Sequence, residues 1–68
     1  MARYYVNDNA QVSGDHEVHL ASCRWVDQMK SKTYLGDYSS CREAVAKAKT
    51  IYRQSDGCAQ CSPACHKG

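Results

Sequence analysis

The histidines and cysteines of this chain are concentrated in two short stretches. The first reads HEVHLASC (residues 16–23) and the second reads GCAQCSPACH (residues 57–66). Together they contain all three histidines and four of the five cysteines. A structural zinc ion takes four ligands of these two types in a tetrahedron. The two stretches therefore predict one structural zinc ion.

The spacing of the residues within the stretches selects four ligands. Cys58 and Cys61 are separated by two residues, so both can reach one ion across a tight turn, which Gly57 permits. His19 and Cys23 form a second close pair at the end of a predicted strand. We therefore predict a Cys3His site made of His19, Cys23, Cys58 and Cys61. It would close a long loop and link the second strand to the segment after the helix.

Other residues of the two stretches are alternative ligands. His16 could replace the other histidine of its strand, although alternation places it on the opposite face. Cys65 and His66 could each replace one member of the set, but adjacent residues rarely both reach one ion. A disulfide of Cys65 with either Cys23 or Cys41 is a further alternative.

A thiol-based function is the main alternative to metal binding. Cys58, Cys61 and Cys65 are close enough in sequence to cycle between dithiol and disulfide, as in a redox enzyme or sensor. A redox C-x-x-C pair normally begins a helix, however, whereas this pair follows one. The stretch HEVH also differs from the H-E-x-x-H motif of zinc proteases, because its histidines are one residue too close. We therefore predict a protein that is not an enzyme.

The elements that must position these residues are predicted from local patterns. Residues 4–6, 16–21 and 32–38 have the β-prone or alternating character of strands. Ser40 and Glu43 form a capping box at the start of a helix. The helix is predicted to end near Gln54, with Gly57 available as its αL cap. One helix face carries an apolar stripe, formed by Cys41, Ala44, Val45, Ala48, Ile51 and Tyr52.

These patterns predict an α+β fold in a single domain over residues 1–68. A small three-stranded antiparallel sheet packs against one helix, and a C-terminal cysteine knuckle follows. A chain this short buries only about 60% of its unfolded surface and usually needs a metal, a disulfide or a partner. With no phenylalanine present, we expect Trp25 and the five tyrosines to form much of the core. Stacking of these rings on nucleic-acid bases is the alternative.

The charge of the chain gives a weak indication of its partners. The formal net charge is +2, which is too small to indicate nucleic-acid binding by itself. One helix face is basic and could contact phosphates, although a solvated face is the simpler interpretation. Its residues are Arg42, Lys47, Lys49 and Arg53. The predicted partner is DNA or another protein, and the chain is predicted to be a monomer.

The hydropathy pattern gives no indication of a membrane association. No apolar run approaches the roughly 18 residues that a membrane span needs. The first residues, MARYYVNDNAQ, contain no apolar segment of a secretory signal. We therefore expect a cytoplasmic protein, in which closely spaced cysteines are metal ligands more often than disulfides.

The order of the motifs resembles the small zinc-binding module at the N-terminus of the bacterial Ada alkylation-repair protein. The resemblance covers about residues 16–61 and lies in HLASC, in EAVAKA within the helix and in GCAQC after it. It implies a zinc site at His19, Cys23, Cys58 and Cys61, and association with DNA. Ada-type modules bind zinc through four cysteines, and their methyl acceptor is a thiolate of the first pair. Because His19 stands first in that pair here, methyl transfer is not implied.

Overall fold

The computed structural model describes residues 1–66, and the domain predicted over 1–68 extends two residues beyond them. Its elements in chain order are β1 Ala2–Asn7, β2 His16–Leu20, a 3-10 helix Val26–Gln28, β3 Lys32–Tyr38, α1 Cys41–Ala48, β4 Ser55–Gly57 and a 3-10 helix Pro63–Cys65. Within the described residues no helix is both long and apolar enough to cross a membrane.

The strands form one four-stranded sheet in the order β3-β1-β2-β4. β1 is antiparallel to both β2 and β3, whereas β4 is parallel to β2. The α+β class is therefore confirmed, but the three-stranded, purely antiparallel sheet was wrong. The segment Ser55–Gly57 is made of turn-forming residues, and it pairs only because β2 offers a free edge. Gln54 extends the pairing, because its carbonyl accepts a hydrogen bond from the His16 amide at 2.8 Å.

The helix begins where the sequence indicates and ends earlier than predicted. Ser40 makes no side-chain cap; instead Ser39 donates from its hydroxyl (2.6 Å) and its amide (3.2 Å) to the carboxylate of Glu43. At the other end the Thr50 hydroxyl donates to the Lys47 carbonyl at 2.6 Å. The chain therefore leaves the helix at Ala48, well before Gln54.

Gly57 has a different role from the predicted helix cap. It lies in β4, and the glycines with positive φ among the described residues are Gly14 and Gly36. A methyl group at Gly57 would lie 2.7 Å from Cβ of Cys65 and 3.0 Å from the Ser62 carbonyl oxygen. Glycine is required here because the C-terminal segment crosses directly over the strand.

The main core lies between α1 and one face of the sheet. It is formed by Tyr4, Val6, Val18, Leu35, Ala44 and Ala48. Tyr52 packs at its edge, where its ring stacks on His16 with centroids 3.9 Å apart. Three expected core residues are exposed instead, because Ile51 lies beyond the helix end, Trp25 lies in a loop and Tyr34 lies on the sheet face away from α1. Their exposed fractions are 46%, 39% and 52%.

In the part of the chain that the structure describes, α1 covers one face of the sheet only, and we call the other face the open face. Strand alternation and the observed register assign to it Arg3, Tyr5, Asn7, Glu17, His19, Lys32, Tyr34 and Asp37. On β1 the alternate residues Tyr4 and Val6 point into the main core, which confirms this assignment. The open face is where the candidate site begins, because His19 belongs to it.

Asp8, just after β1, joins three parts of the chain. Its carboxylate accepts hydrogen bonds from the hydroxyls of Ser31 (2.6 Å), Thr33 (2.7 Å) and Tyr52 (2.9 Å). These hydrogen bonds, that of Ser31 foremost, hold the pKa of Asp8 below its ordinary value.

We expect Asp8 to stabilise the fold above its unfolded pKa of about 3.9 and to lose this contribution as pH falls through its lower folded pKa. The measurement is a carbon-13 NMR titration of the Asp8 carboxyl group in the folded protein. A midpoint at or above the ordinary value would contradict the prediction. Asp8→Asn should be less stable than the wild type at neutral pH, and the difference should shrink in acid.

Candidate metal site

The structure brings His19, Cys23, Cys58 and Cys61 together. Each offers one candidate ligand atom, and these four atoms lie within 4.8 Å of one another. His19 lies in β2, and Cys58 directly follows β4. Cys23 and Cys61 lie in the turns beyond these two strands. These are the four residues whose spacing predicts a metal site.

Parallel pairing of β2 and β4 explains why the two ligand pairs meet. Val18 lies opposite Gly57, so the residues that follow each strand emerge at the same end of the sheet. The amide of Cys58 donates to the Val18 carbonyl at 3.0 Å, which places Cys58 beside His19. In an antiparallel pair the two chain directions would diverge at this point.

Backbone amides point at two of the sulfur atoms. The Gln60 amide donates to Sγ of Cys58 at 3.4 Å, and the Leu20 amide donates to Sγ of Cys61 at 3.3 Å. The turn is closed by the Ser62 amide, which donates to the Cys58 carbonyl at 2.9 Å. Donors of this kind favour the thiolate over the thiol. The knuckle is therefore arranged to hold negatively charged sulfur.

The cluster is largely removed from solvent. His19 is 2% exposed, Cys58 3% and Cys23 8%, and Val26 packs against both of these cysteines. Burial raises the pKa of the Cys61 thiol to about 12 and lowers the pKa of the His19 imidazole. Burial therefore disfavours the charged form of both groups. A bound cation would reverse this preference for Cys61, and the thiol proton would be released on binding.

Glu17 orients the histidine of the cluster. Its Oε1 lies 3.4 Å from Nε2 of His19, whereas Nδ1 of the same ring lies 3.9 Å from Sγ of Cys61. A carboxylate beside Nε2 favours the tautomer with its proton there, which leaves the Nδ1 lone pair facing the sulfurs. Spacing alone did not single out Glu17, although its position two residues before His19 on the same strand face was a usable signal.

Replacing Glu17 by alanine is expected to weaken metal binding about 10- to 100-fold while the sheet is retained, because the imidazole loses its orienting partner. Glu17→Gln should have a smaller effect, since an amide oxygen beside Nε2 can accept a hydrogen bond from its N–H. Zinc affinity can be measured by competition with a chromophoric chelator. Unchanged affinity in Glu17→Ala would show that the ring is fixed by packing alone.

The alternative ligands predicted from sequence lie outside the cluster. Nδ1 of His16 is 2.9 Å from the Asn7 carbonyl, and its ring stacks on that of Tyr52. Nδ1 of His66 is 3.0 Å from the Gly57 carbonyl. Cys65 forms a disulfide with Cys41. All three residues are thus occupied by other contacts.

The disulfide also revises the interpretation of Cys41. It was expected to be a small apolar residue on the helix stripe, with pairing to Cys65 left open as an alternative. The structure contains the Cys41–Cys65 disulfide, with the two Cα atoms 6.2 Å apart. The bond ties the first turn of α1 to the C-terminal 3-10 helix. The free thiols among the described residues are those of Cys23, Cys58 and Cys61.

The basic residues predicted to form one helix face are all exposed to solvent, and they are Arg42, Lys47, Lys49 and Arg53. Lys49 and Arg53, however, lie beyond the end of α1. Arg42 and Lys49 border a shallow cleft of about 300 Å³ beside the disulfide, with Val45 and Ala64 in its wall. Phosphate contact by these residues stays a prediction.

Fold and site together define a small α+β domain with a Cys/His cluster that could hold a metal ion. Comparison with known protein families, curated proteins and solved structures finds no match to this chain. The functional argument therefore depends on the geometry of the chain itself.

Proposed function

We propose that this protein is a non-enzymatic interaction module whose fold is held by one structural zinc ion. The observation that carries the proposal is the convergence of four donor atoms within 4.8 Å from two pairs distant in sequence. His19 and Cys23 come from one end of the chain, and Cys58 and Cys61 come from the other.

The donor set favours zinc among the biological metals. Three sulfur atoms and one imidazole nitrogen form a common structural zinc set, whereas calcium and magnesium take oxygen ligands. A zinc–sulfur bond of about 2.3 Å and a zinc–nitrogen bond of about 2.0–2.1 Å give a tetrahedral sulfur–nitrogen edge of about 3.6 Å. The distance of 3.9 Å between Sγ of Cys61 and Nδ1 of His19 is close to such an edge.

A structural role follows from the number of protein ligands. Zinc in catalytic sites keeps one coordination position for water or substrate, whereas four protein ligands close the sphere. The small size of the second apolar cluster supports the same role. Among the described residues Val26 is the one buried member besides Cys23 and Cys58, with Leu20 and Met29 partly buried beside it, so a bound ion would supply much of the cohesion.

The likeness to Ada-type modules is part of the proposal. It is supported by the order of ligand pair, helix and second ligand pair along the chain. The partner proposed on this basis is a nucleic acid or another protein. The thiol-redox alternative has less support, because Cys65 is bonded to Cys41 and is not free to exchange with Cys58 and Cys61.

Native mass spectrometry with and without a chelator tests the proposal. We expect a mass increase of one zinc ion per chain, lost under chelator together with tertiary structure as followed by near-ultraviolet circular dichroism. A chain that carries no zinc after purification with zinc present, and whose fold is unchanged by chelator, would refute the proposal.

A further inference from the structure

The open face presents aromatic rings to solvent. Tyr34 is 52% exposed, and its ring lies 5.3 Å from that of Tyr5 on the neighbouring strand. Trp25, 39% exposed, lies in the loop after Cys23 and helps to line a cleft with His19. The sequence has few large apolar side chains, yet the rings of Tyr34 and Trp25 are not buried in the core. Exposed rings of this kind are ready stacking surfaces.

Cations lie beside these rings. Nζ of Lys32 is 6.0 Å from the centroid of Tyr5, and the guanidinium carbon of Arg24 is 5.2 Å from that of Trp25. Arg3 extends from the same face and borders a pocket with Tyr5 and Tyr34. Each ring is thus accompanied by a positive charge.

The carboxylates of the open face are engaged within the protein. Asp37 accepts a hydrogen bond from the Tyr34 hydroxyl at 2.8 Å and lies opposite Arg3 in the strand register. Glu17 lies against the imidazole of His19. These two carboxylates are balanced in number by Arg3 and Lys32, and Arg24 adds a positive charge beside Trp25.

A cleft of about 390 Å³ runs from the open face to the metal site. Side-chain amides from three segments line it, together with Trp25, and they are Asn7, Gln11, Gln28 and Gln60. Carboxamides can both donate and accept hydrogen bonds, as the edges of nucleic-acid bases require.

We propose that the open face binds single-stranded nucleic acid. Bases stack on Tyr34 and Trp25, and phosphates meet the nearby cations. The strand must be single because a duplex hides the base faces that a stacking surface recognises. The inference rests on the proposed function and deepens it. Trp25 lies between Cys23, a proposed zinc ligand, and Val26, which packs against Cys23 and Cys58.

Fluorescence anisotropy of the zinc-loaded protein with labelled oligonucleotides tests this inference. The probes are an oligothymidylate and an oligouridylate of about 12 nucleotides, within the range that small stacking folds cover. A mixed-sequence DNA duplex is the comparison. We expect both single strands to bind more tightly than the duplex, and the ratio of the two single-strand affinities distinguishes DNA from RNA as the preferred form.

Matched variants locate the surface. Tyr34→Ala and Trp25→Ala should each weaken single-strand binding about tenfold or more, whereas Tyr34→Phe keeps the ring and should stay near wild type. Lys32→Ala should reduce the slope of log affinity against log salt by about 0.7. Lys49→Ala removes the same charge from the basic residues predicted to contact phosphate, and it decides between the two surfaces: binding at the open face changes the slope less in Lys49→Ala than in Lys32→Ala. Circular dichroism and zinc content confirm that each variant is folded.

Three results would overturn the inference. The first is no single-strand binding by folded, zinc-loaded protein. The second is tighter binding of the duplex. The third is a loss of binding in Lys49→Ala that equals the loss in Lys32→Ala, with no effect of Tyr34→Ala. In each case the zinc content measured on the same sample tests the proposed metal role independently. The two proposals can therefore fail separately.

Discussion

The His19→Ala variant is expected to purify without stoichiometric zinc and with the ligand-bearing loops disordered. His19 is 2% exposed, and its Nδ1 faces Sγ of Cys61, so alanine removes a donor that no water can easily replace. Apparent binding free energies of structural zinc are about 10–16 kcal/mol at neutral pH, which exceeds the stability of most small domains. Loss of the ion should therefore be visible as loss of fold.

The chain supplies matched controls for this variant. His16 and His66 are the remaining histidines, and neither belongs to the cluster. His66→Ala should retain one zinc ion per chain, measured by native mass spectrometry. Equal loss of zinc in both variants would contradict the assignment of His19 as the ligand.

A second variant separates loss of a ligand from loss of packing. His19→Cys replaces Nδ1 by a sulfur one bond closer to Cβ, the longer zinc–sulfur bond recovers part of that difference, and four cysteines are an established zinc set. We expect it to keep the metal, with Co²⁺ substitution giving an absorption spectrum of a four-sulfur site. A metal-free His19→Cys protein would show that the imidazole is needed for shape, and that the site tolerates no other donor.

Removal of the Cys41–Cys65 disulfide is expected to lower the free energy of unfolding by about 3 kcal/mol. The bond closes a loop with a sequence separation of 24 residues, and such a crosslink acts mainly by restricting the unfolded chain. The variant is Cys41→Ala with Cys65→Ala, so that neither partner of the bond remains as a new unpaired thiol. Urea unfolding of zinc-loaded samples gives the difference.

The disulfide variant should keep its zinc, because neither cysteine is in the cluster. This separates it from His19→Ala, in which metal and fold are lost together. If the double variant loses its metal, the disulfide is required to position the knuckle. If its stability is unchanged, the bond is not formed in the purified protein.

Much of the site could be predicted from the sequence, because the residues that define each ligand pair lie close together along the chain. A close pair of ligands is defined by spacing along the chain, and so are the strands around His19 and Tyr34. The start of the helix was also visible, although the capping hydroxyl came from Ser39 and not Ser40. Local chemistry is decisive in these segments, because few distant contacts compete with it.

Other features were decided only by the tertiary structure. Ser55–Gly57 has no strand character and becomes β4 because β2 offers it a parallel edge. That parallel edge directs Cys58 toward His19, and it was absent from the antiparallel sheet that the sequence predicted. Long-range pairing is not encoded in any one segment, since it depends on which edges the rest of the fold leaves free.

The same division applies to Trp25 and the disulfide. Residue types suggested that the indole would be buried, but the strands carry the core and leave its loop on the surface. Five cysteines left several pairings open, and the fold chose Cys41–Cys65 by bringing the helix start against the C-terminal segment. The sequence by itself thus determined which residues can bind a metal. Tertiary structure decided that two distant pairs meet, because strand order sets where each chain segment emerges.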